Sequence, residues 1–512
     1  MQNEVKMKKT LYTVLFSAML ASTFWSCKKA LDIEPRQSID ASTALTSKDG
    51  ISAAVISVYS RLKNLRVYGR DLIALPEALA DNGFATNKSG RLLPEANNNQ
   101  GAHFTGGLWQ TAYSAINQAN LILEALPSAA DPLITQADRT SWEGQLYFLR
   151  ALYHFDMVKV FAYIPGAVVG SQNRGGIPLM LKSVGTSDEA LALLPPRAPI
   201  DDVYTSIVAD FEAANTRLTN TTLPNLASKV AAQAMLSRVN LYRRNYSEAK
   251  RWADSAINSA GTRLSTASNY ITNSRAAINP ETLFQVFFAT NAENLGVNES
   301  LQTSFTTLTA PGNPALTGGF GDLVPTLSLM NDLGITLTGG NTNAVFTGGN
   351  ASIATRSADV RNLMFEVGSA GRGLSKVETT KFIGKNGFPN LDNIQVIRIA
   401  EVFLNRAEAL ATPGSPVFNE AAALADLNRI ATNRGLTAFT LTGTDLYEEI
   451  IRQRRIELAF EGHRFFDLKR LGRDIIKTPH YVNVNFTDTR ILAPIPQREV
   501  DGNKNLVQNP GY

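Results

Sequence analysis

The feature that most constrains this chain is helical periodicity repeated over most of its length. Ile51, Val55, Tyr59 and Leu62 form one apolar stripe at three- and four-residue steps. Trp109, Ala112, Ile116, Ala119, Leu123 and Leu126 form a second, and Leu146, Leu149, Tyr153, Met157 and Val160 a third that stops before Pro165. A helix with one apolar face must bury it against another element, so such stripes predict packed helices. The run Pro195, Pro196, Pro199 leads into Asp201-Asp202, read as N-cap residues of a helix reaching Leu218. Residues 231–260 fit a degenerate helix-pair repeat: Leu236 and Ser237 on the first helix, a turn at Arg243-Arg244-Asn245, then Tyr246, Ala249, Ala253 and Ala256 on the second. A second helical block is expected over 397–410, 420–433 and 444–471. The expected class is mostly α.

Between the blocks the composition changes. Residues 290–350 are rich in Thr, Asn and Gly, with paired glycines at Gly318-Gly319, Gly339-Gly340 and Gly348-Gly349. Short strands are expected around 283–289, 363–367 and 381–383. Loops beyond ~12–15 residues inside a domain are usually functional or disordered, and this insert, about 285–390, is read as functional.

The N-terminus reads as an export signal. Met7-Lys8-Lys9-Thr10 precedes an uncharged stretch from Leu11 to Ser26, too short to span a bilayer at ~20 apolar residues, and Cys27 follows. Residues 1–26 are therefore a leader, 27–40 a tether and 41–512 a single domain. The Ser26-Cys27 junction resembles a bacterial lipoprotein signal, which makes Cys27 the lipidation site. As the only cysteine, Cys27 leaves no internal disulfide and no cysteine-based metal centre. With Lys6, Lys8, Lys9 and Glu4 in the leader, the net charge of +4 falls to about +2, without the basic run that nucleic-acid binding requires.

Catalytic signatures are missing. The sequence has no Gly-x-Ser-x-Gly elbow, phosphate loop or paired-His zinc helix, and Gly319-Phe320-Gly321 lacks the third glycine of a dinucleotide fingerprint. Its histidines, His103, His154, His463 and His480, do not stand at ligand spacing. On one continuous helix Glu457 and Glu461 would face away from His463 and Asp467, so that cluster reads as surface pairing, with Glu448–Arg452, Glu461–Arg464 and Asp467–Arg470. Neither a catalytic residue, a metal nor a cofactor is expected. Aromatic faces flanked by hydrogen-bonding groups are the remaining route to function, because sugar rings stack on them. Trp109 and Trp252 lie on core stripes and Trp142 is undecided, so stacking falls to Phe and Tyr in loops.

Several longer motifs resemble one family. Arg398-Ile-Ala-Glu401-Val-Phe-Leu-Asn405-Arg406-Ala-Glu408, then Arg452-x-x-Arg455-x-Glu457-Leu-Ala-Phe-Glu461-Gly462-His-Arg464-Phe-Phe-Asp467-Leu-Lys-Arg470, are similar to the SusD/RagB family. So are Leu31-Asp32-Ile33-Glu34-Pro35, Phe148-Leu149-Arg150-Ala151, Gly176-Ile177-Pro178-Leu179, Pro196-Arg197-Ala198-Pro199 and the tail Gln508-Asn509-Pro510-Gly511-Tyr512. The resemblance implies a SusD-like helical fold with degenerate tetratricopeptide helices and a ligand-bearing insert. It also implies a non-enzymatic lipoprotein of the outer membrane, facing the cell surface, that binds an oligosaccharide or peptide nutrient for a SusC-like TonB-dependent transporter. The alternative is a helical-repeat scaffold binding protein segments. Two segments look like that family's ligand-bearing regions. The first, 81–104, offers Asp81, Asn82, Phe84, Asn87, Arg91 and Phe104; the second, 288–322, which precedes a helix expected at 323–325, offers Phe288, Asn291 and Phe320.

If Cys27 carries the lipid, Cys27→Ser moves the protein from the membrane pellet to the soluble fraction with an unchanged melting temperature, since acyl burial supplies ~0.8 kcal/mol per CH2 of anchoring. Unchanged fractionation would refute the assignment.

Overall fold

Ser47 opens the first helix, α1 (Lys48–Leu62), by accepting a hydrogen bond from the Gly50 N–H, and the stripe of Ile51, Val55, Tyr59 and Leu62 is buried. The computed structural model describes residues 45–512 apart from 222, 262 and 340–348. The expected leader, the expected lipidation at Cys27 and the expected tether fall outside the described residues. After α2 (Asp71–Leu79) come α3 (Leu108–Ala125), carrying buried Trp109, Ala112, Ile116 and Ala119, and α4 (Gln136–Phe161), opened by a Thr135–Asp138 capping box. Trp142 is buried on α4. α5 (Ile200–Arg217) packs on α4. Its cap position is Pro199, and Asp201 and Asp202 sit in its first turn, where they favour the positive helix end instead of capping it.

The helix-pair repeat forms as spaced. α6 (Lys229–Tyr242) and α7 (Tyr246–Ala260) pack closely, with Ala249, Ala253 and Ala256 buried between them. α7 then meets α8 (Ile399–Ala411), which also contacts α9 (Glu420–Asn433) and α10 (Gly443–Glu457). The two helical blocks of the sequence thus share one scaffold.

The run expected as one helix over 444–471 is two. α10 ends at Glu457 and α11 begins at Arg464 (Arg464–Leu471). Between them Phe460 has φ +61° and Gly462 φ +81°. A Cβ on Gly462 would lie 2.3 Å from the Leu72 carbonyl oxygen, so glycine lets α2 pass this close. The break removes the basis for reading Glu457, Glu461, His463 and Asp467 as two opposite faces of one continuous helix. Asp467–Arg470 forms, but buried; Glu448 pairs with Arg473, Arg452 with Glu449, and Glu461 with Arg398 and Lys381.

Strands are short and occur, among the described residues, as antiparallel pairs. β1 (Gly83–Ala85) pairs with β3 (Leu323–Pro325), and β2 (Thr282–Val286) with β8 (Ile394–Arg398). β4 (Ile335–Gly339) pairs with β5 (Ala351–Arg356), and β6 (Phe365–Val367) with β7 (Val377–Thr379). The strand expected at 381–383 lies four residues earlier, and 323–325 is a strand; the helix there starts at Leu327.

Buried ion pairs tie these elements together. Glu457 meets Arg361, Arg398 and Arg434 at 3.0, 2.6 and 2.7 Å. Arg398 and Arg434 also hold Glu281, Arg398 and Lys381 hold Glu461, and Arg361 holds Asp359. A second cluster runs from Arg238 through Glu401, Arg454, Asp467 and Arg470 to Glu408. The first sets four carboxylates against four cations and the second three against three, so the interior holds little net charge. The surrounding guanidinium groups hold the Glu457 carboxyl well below the usual carboxylate range despite burial, and the Asp467 carboxyl down at about 2.

Three outcomes follow. Glu457→Gln leaves three buried guanidinium groups without their shared anion and costs ~3–5 kcal/mol in chemical denaturation. Phe465→Ala empties a fully buried site against His103 and Phe466 and costs ~3–5 kcal/mol. Burial holds His103, His154 and His463 at about 3, below the ordinary 6.5. Between those values the unfolded chain binds protons that the folded chain does not, so stability is full above about pH 6.5 and falls as the solution is acidified toward pH 3. Melting temperatures measured from pH 7 to pH 4 should decline; a flat profile would contradict the burial of these rings.

Candidate functional site

The two segments singled out in the sequence are joined by β1 and β3. Gly83, Phe84 and Ala85 oppose Pro325, Val324 and Leu323, and the Thr86 N–H and hydroxyl continue the contact by donating to the carbonyls of Asp322 and Gly321. Next in the chain, the Ser89 hydroxyl donates to Asp322 Oδ1 at 2.5 Å and Arg91 Nε to Asp322 Oδ2 at 3.1 Å. The guanidinium groups of Arg91 and Arg372 lie over the Phe320 ring, 4.5 and 3.9 Å from its centroid.

Gly319-Phe320-Gly321 is a close-packed turn. A Cβ on Gly319 would fall 2.1 Å from the Thr306 carbonyl oxygen, and Phe320 N–H donates to the Thr303 carbonyl at 3.1 Å. The first glycine is thus required for approach, and the turn sets the phenylalanine under the two arginines.

Beside β1, the loop after α11 supplies a second aromatic group. The Phe84 ring is half-buried, stacked on Tyr481 at 5.7 Å with 28° between planes, and 4.9 Å from the His480 ring. The Ala85 N–H donates to the Tyr481 hydroxyl at 2.9 Å. This loop is fixed by Lys477, whose buried ammonium donates to the carbonyls of Ala78 and Ala96 and, at 2.7 Å, to Asn98 Oδ1. A hollow of about 240 Å³ opens next to the rings, lined by Gly83, Ser328, Asn331, Ile476, His480 and Tyr481 among others. Burial holds the His480 imidazole down at about 4 and pushes the Tyr481 hydroxyl up to about 12, so both rings are neutral near pH 7.

Not every candidate reaches this surface. Asp81 lines the hollow, but its carboxylate is committed to Arg464 at 2.6 and 2.8 Å, with Arg455 3.5 Å away, and these guanidinium groups keep it far below the ordinary carboxylate range despite burial. Asn82 is buried between the Glu77 carboxylate and Arg455. Phe104 packs against Phe466 in the core, and Phe288 is buried with Lys63 5.8 Å from its ring. These three present no face to a ligand, because apolar burial and paired charges claimed them. Asn291 is exposed in a turn tied by Glu293 to Lys63 at the end of α1, a different neighbourhood. Arg91 and Phe320 are in contact, Phe84 lies on β1 opposite Val324, and Asn87 is exposed on the loop that follows β1. The reading missed Arg372, Ser89, His480 and Tyr481. For the last two a signal existed: an adjacent His-Tyr pair inside the turn-rich segment Thr478-Pro479-His480-Tyr481-Val482-Asn483.

Other hollows have different character. One of about 460 Å³ is lined mainly by apolar groups, including Trp109, Met180, Leu191 and Leu506. Another, about 730 Å³, lies between the start of α4 and residues 217–227. The first also holds the Trp109–Tyr113 ring pair, centroids 5.0 Å apart, near Gln110, Asn117, Arg498 and Glu499, but Trp109 is buried, whereas the rings of the β1–β3 surface are half-buried. Among the described residues no group of His, Cys, Asp and Glu could hold a metal ion, and no helix is long and apolar enough to cross a membrane.

The loop from β1 to α3 carries left-handed φ at Asn87, Leu92, Asn98 and Phe104. Asparagine tolerates that region, whereas leucine and phenylalanine adopt it at a cost, and both Leu92 and Phe104 are buried.

Comparison with known proteins agrees with this construction. The family described as "SusD family" matches residues 369–512, and that described as "Starch-binding associating with outer membrane" matches residues 31–241. SusD-like protein P2 of Formosa agariphila is 26% identical over 90% of this chain and 92% of its own length. Two SusD-type family models thus match this chain, one in its N-terminal part and one at its C-terminal end. Starch-binding protein SusD of Bacteroides thetaiotaomicron is 31% identical over 24% of this chain and 22% of its own. Among solved structures, a SusD superfamily protein of Bacteroides thetaiotaomicron superposes with a TM-score of 0.75 at 24% identity, covering 90% of this chain and 99% of its own. A laminarin-binding SusD-like protein superposes at 0.63 and 21% identity, covering 91% and 100%. These likenesses establish the helical SusD-like fold. The residues expected from sequence as family signatures, Arg398, Glu401, Glu408, Glu457, Glu461, Asp467 and Arg470, are the buried ion-pair residues of this chain.

Lys477→Met should leave the oxygens of Ala78, Ala96 and Asn98 without their donor. With ~1.5–3 kcal/mol per hydrogen bond to a charged group, a loss of at least ~2 kcal/mol is expected in denaturation, together with faster amide exchange at 476–484. Unaltered exchange there would show that Lys477 does not fix the loop.

Proposed function

We propose that this chain is a lipid-anchored outer-membrane binding protein, facing the cell surface, that captures an oligosaccharide on the β1–β3 surface and delivers it to a SusC-like TonB-dependent transporter. In this reading the leader ends at residue 26, Cys27 carries the lipid, and 41–512 is one binding domain without covalent chemistry. The observation that carries it is the Phe84–His480–Tyr481 cluster, half-buried rings held beside a hollow, with Asn87, Ser89 and Arg91 on the loop that continues from Phe84. A pyranose offers an apolar C–H face and a rim of hydroxyls, and rings with carboxamide and guanidinium neighbours answer both. The starch-binding and laminarin-binding relatives, and the outer-membrane association in a matching family's description, support the same reading. A rigid helical platform with variable loops suits a binder whose specificity resides in the loops.

Calorimetric titration with oligosaccharide and peptide pools tests the proposal: heat is expected from an oligosaccharide. Phe84→Ala and Tyr481→Ala should each weaken it several-fold, at ~0.5–1.5 kcal/mol per stacked ring beyond the area lost. His463→Ala, buried in the scaffold, should leave binding intact. Binding of peptides alone, or glycan binding indifferent to Phe84 and Tyr481, would overturn the assignment.

A further inference from the structure

The charge around Phe320 differs from that of the interior. The two buried networks are balanced, carboxylate for cation. At the β1–β3 surface Lys88, Arg91 and Arg372 gather about two carboxylates, Asp322 and Glu378. Both acids are already engaged. Asp322 accepts from Ser89 and Arg91, and Glu378 Oε2 accepts from Thr306 Oγ1 and from the Thr307 N–H and hydroxyl at 3.0, 2.6 and 2.8 Å.

Lys88, Arg91 and Arg372 keep donors without a partner among the described residues. Lys88 is nine-tenths buried, stands 3.5 Å from Glu378 Oε1 and has no hydrogen-bond partner for its Nζ among the described residues. Arg91 spends Nε on Asp322, while its Nη2 is without a partner there. Arg372 is exposed, pairs with no carboxylate among the described residues, and is placed by Phe320 alone. A guanidinium over an aromatic ring is fixed in orientation while its N–H edge stays available, and that edge matches a carboxylate or sulfate.

Resting on the function proposed above, we infer that the oligosaccharide is acidic, with a carboxylate or sulfate on a sugar ring received by Arg372 and Arg91 beside Phe320. The Phe84 and Tyr481 rings hold the sugar body, and the arginines read its charge. The preference is electrostatic, so added salt weakens acidic ligands more than neutral ones.

The test is calorimetry on the mature chain with matched probes: a galacturonate tetramer and its methyl ester, and a sulfated galactan tetramer and its desulfated form. At low salt one acidic member is expected to bind about tenfold or more tighter than its neutral counterpart. Preference for the galacturonate identifies a uronic acid, and preference for the sulfated tetramer identifies a sulfate ester. Arg372→Gln should bring acidic and neutral forms level, and Arg372→Lys should restore part of the difference. Neutral forms binding as tightly as acidic ones, with loss on Phe84→Ala, would overturn this inference while leaving the function standing. An acid preference unchanged in Arg372→Gln would overturn the placement. If neither matched pair nor any other oligosaccharide binds, the functional reading falls and this inference with it.

Discussion

Burying a carboxylate costs several kcal/mol unless a cation and hydrogen bonds replace its water, and this constraint organises the protein. Glu457 has three arginines, drawn from the segment before β6, from the end of β8 and from the end of α9. Removing any partner leaves a charge in an apolar interior, so the elements that carry these residues are bound to one arrangement. The second chain of pairs, from Arg238 to Glu408, does the same for α6, α8, α10 and α11. Apolar burial supplies most of the driving force for collapse, while the paired charges select which helix ends meet.

The proposed binding surface is built on that rigidity. β1 follows α2, α2 packs against the α10–α11 junction through Gly462, and Asp81 at its end is clamped by Arg464 and Arg455. Asp81 and Asn82 therefore belong to the anchoring of the site, and Phe84, two residues on, belongs to its surface. Lys477 brings the His480–Tyr481 loop to the same place from more than 370 residues away in sequence. The irregular segments can then vary without disturbing the helices, as a specificity surface requires.

Legibility in the sequence follows the range of the interactions. The stripes of α1, α3 and α4 and the alanines of α7 were readable because helix burial repeats every three to four residues. The break between α10 and α11 was hidden, since one glycine among good helix formers gives little local signal; its cause is the α2 backbone passing at Gly462. Phe104 and Phe288 look like exposed loop aromatics when read locally, and they are core residues because distant elements cover them. Arg372 and Tyr481 show the converse: each is an ordinary loop residue until Phe320 or Phe84 is placed beside it.

By itself, then, the sequence determined the mostly helical class, the helix-pair repeat, the lack of catalytic motifs and the two loop segments from which a surface could be made, because periodicity and composition are local properties. Tertiary structure decided which members of those segments face outward, which acids are consumed by which arginines, and that Arg372, with no carboxylate partner among the described residues, joins Arg91 over Phe320. The physical reason is that burial and charge pairing depend on what lies across the interface, and the partners there are separated by tens to hundreds of residues along the chain.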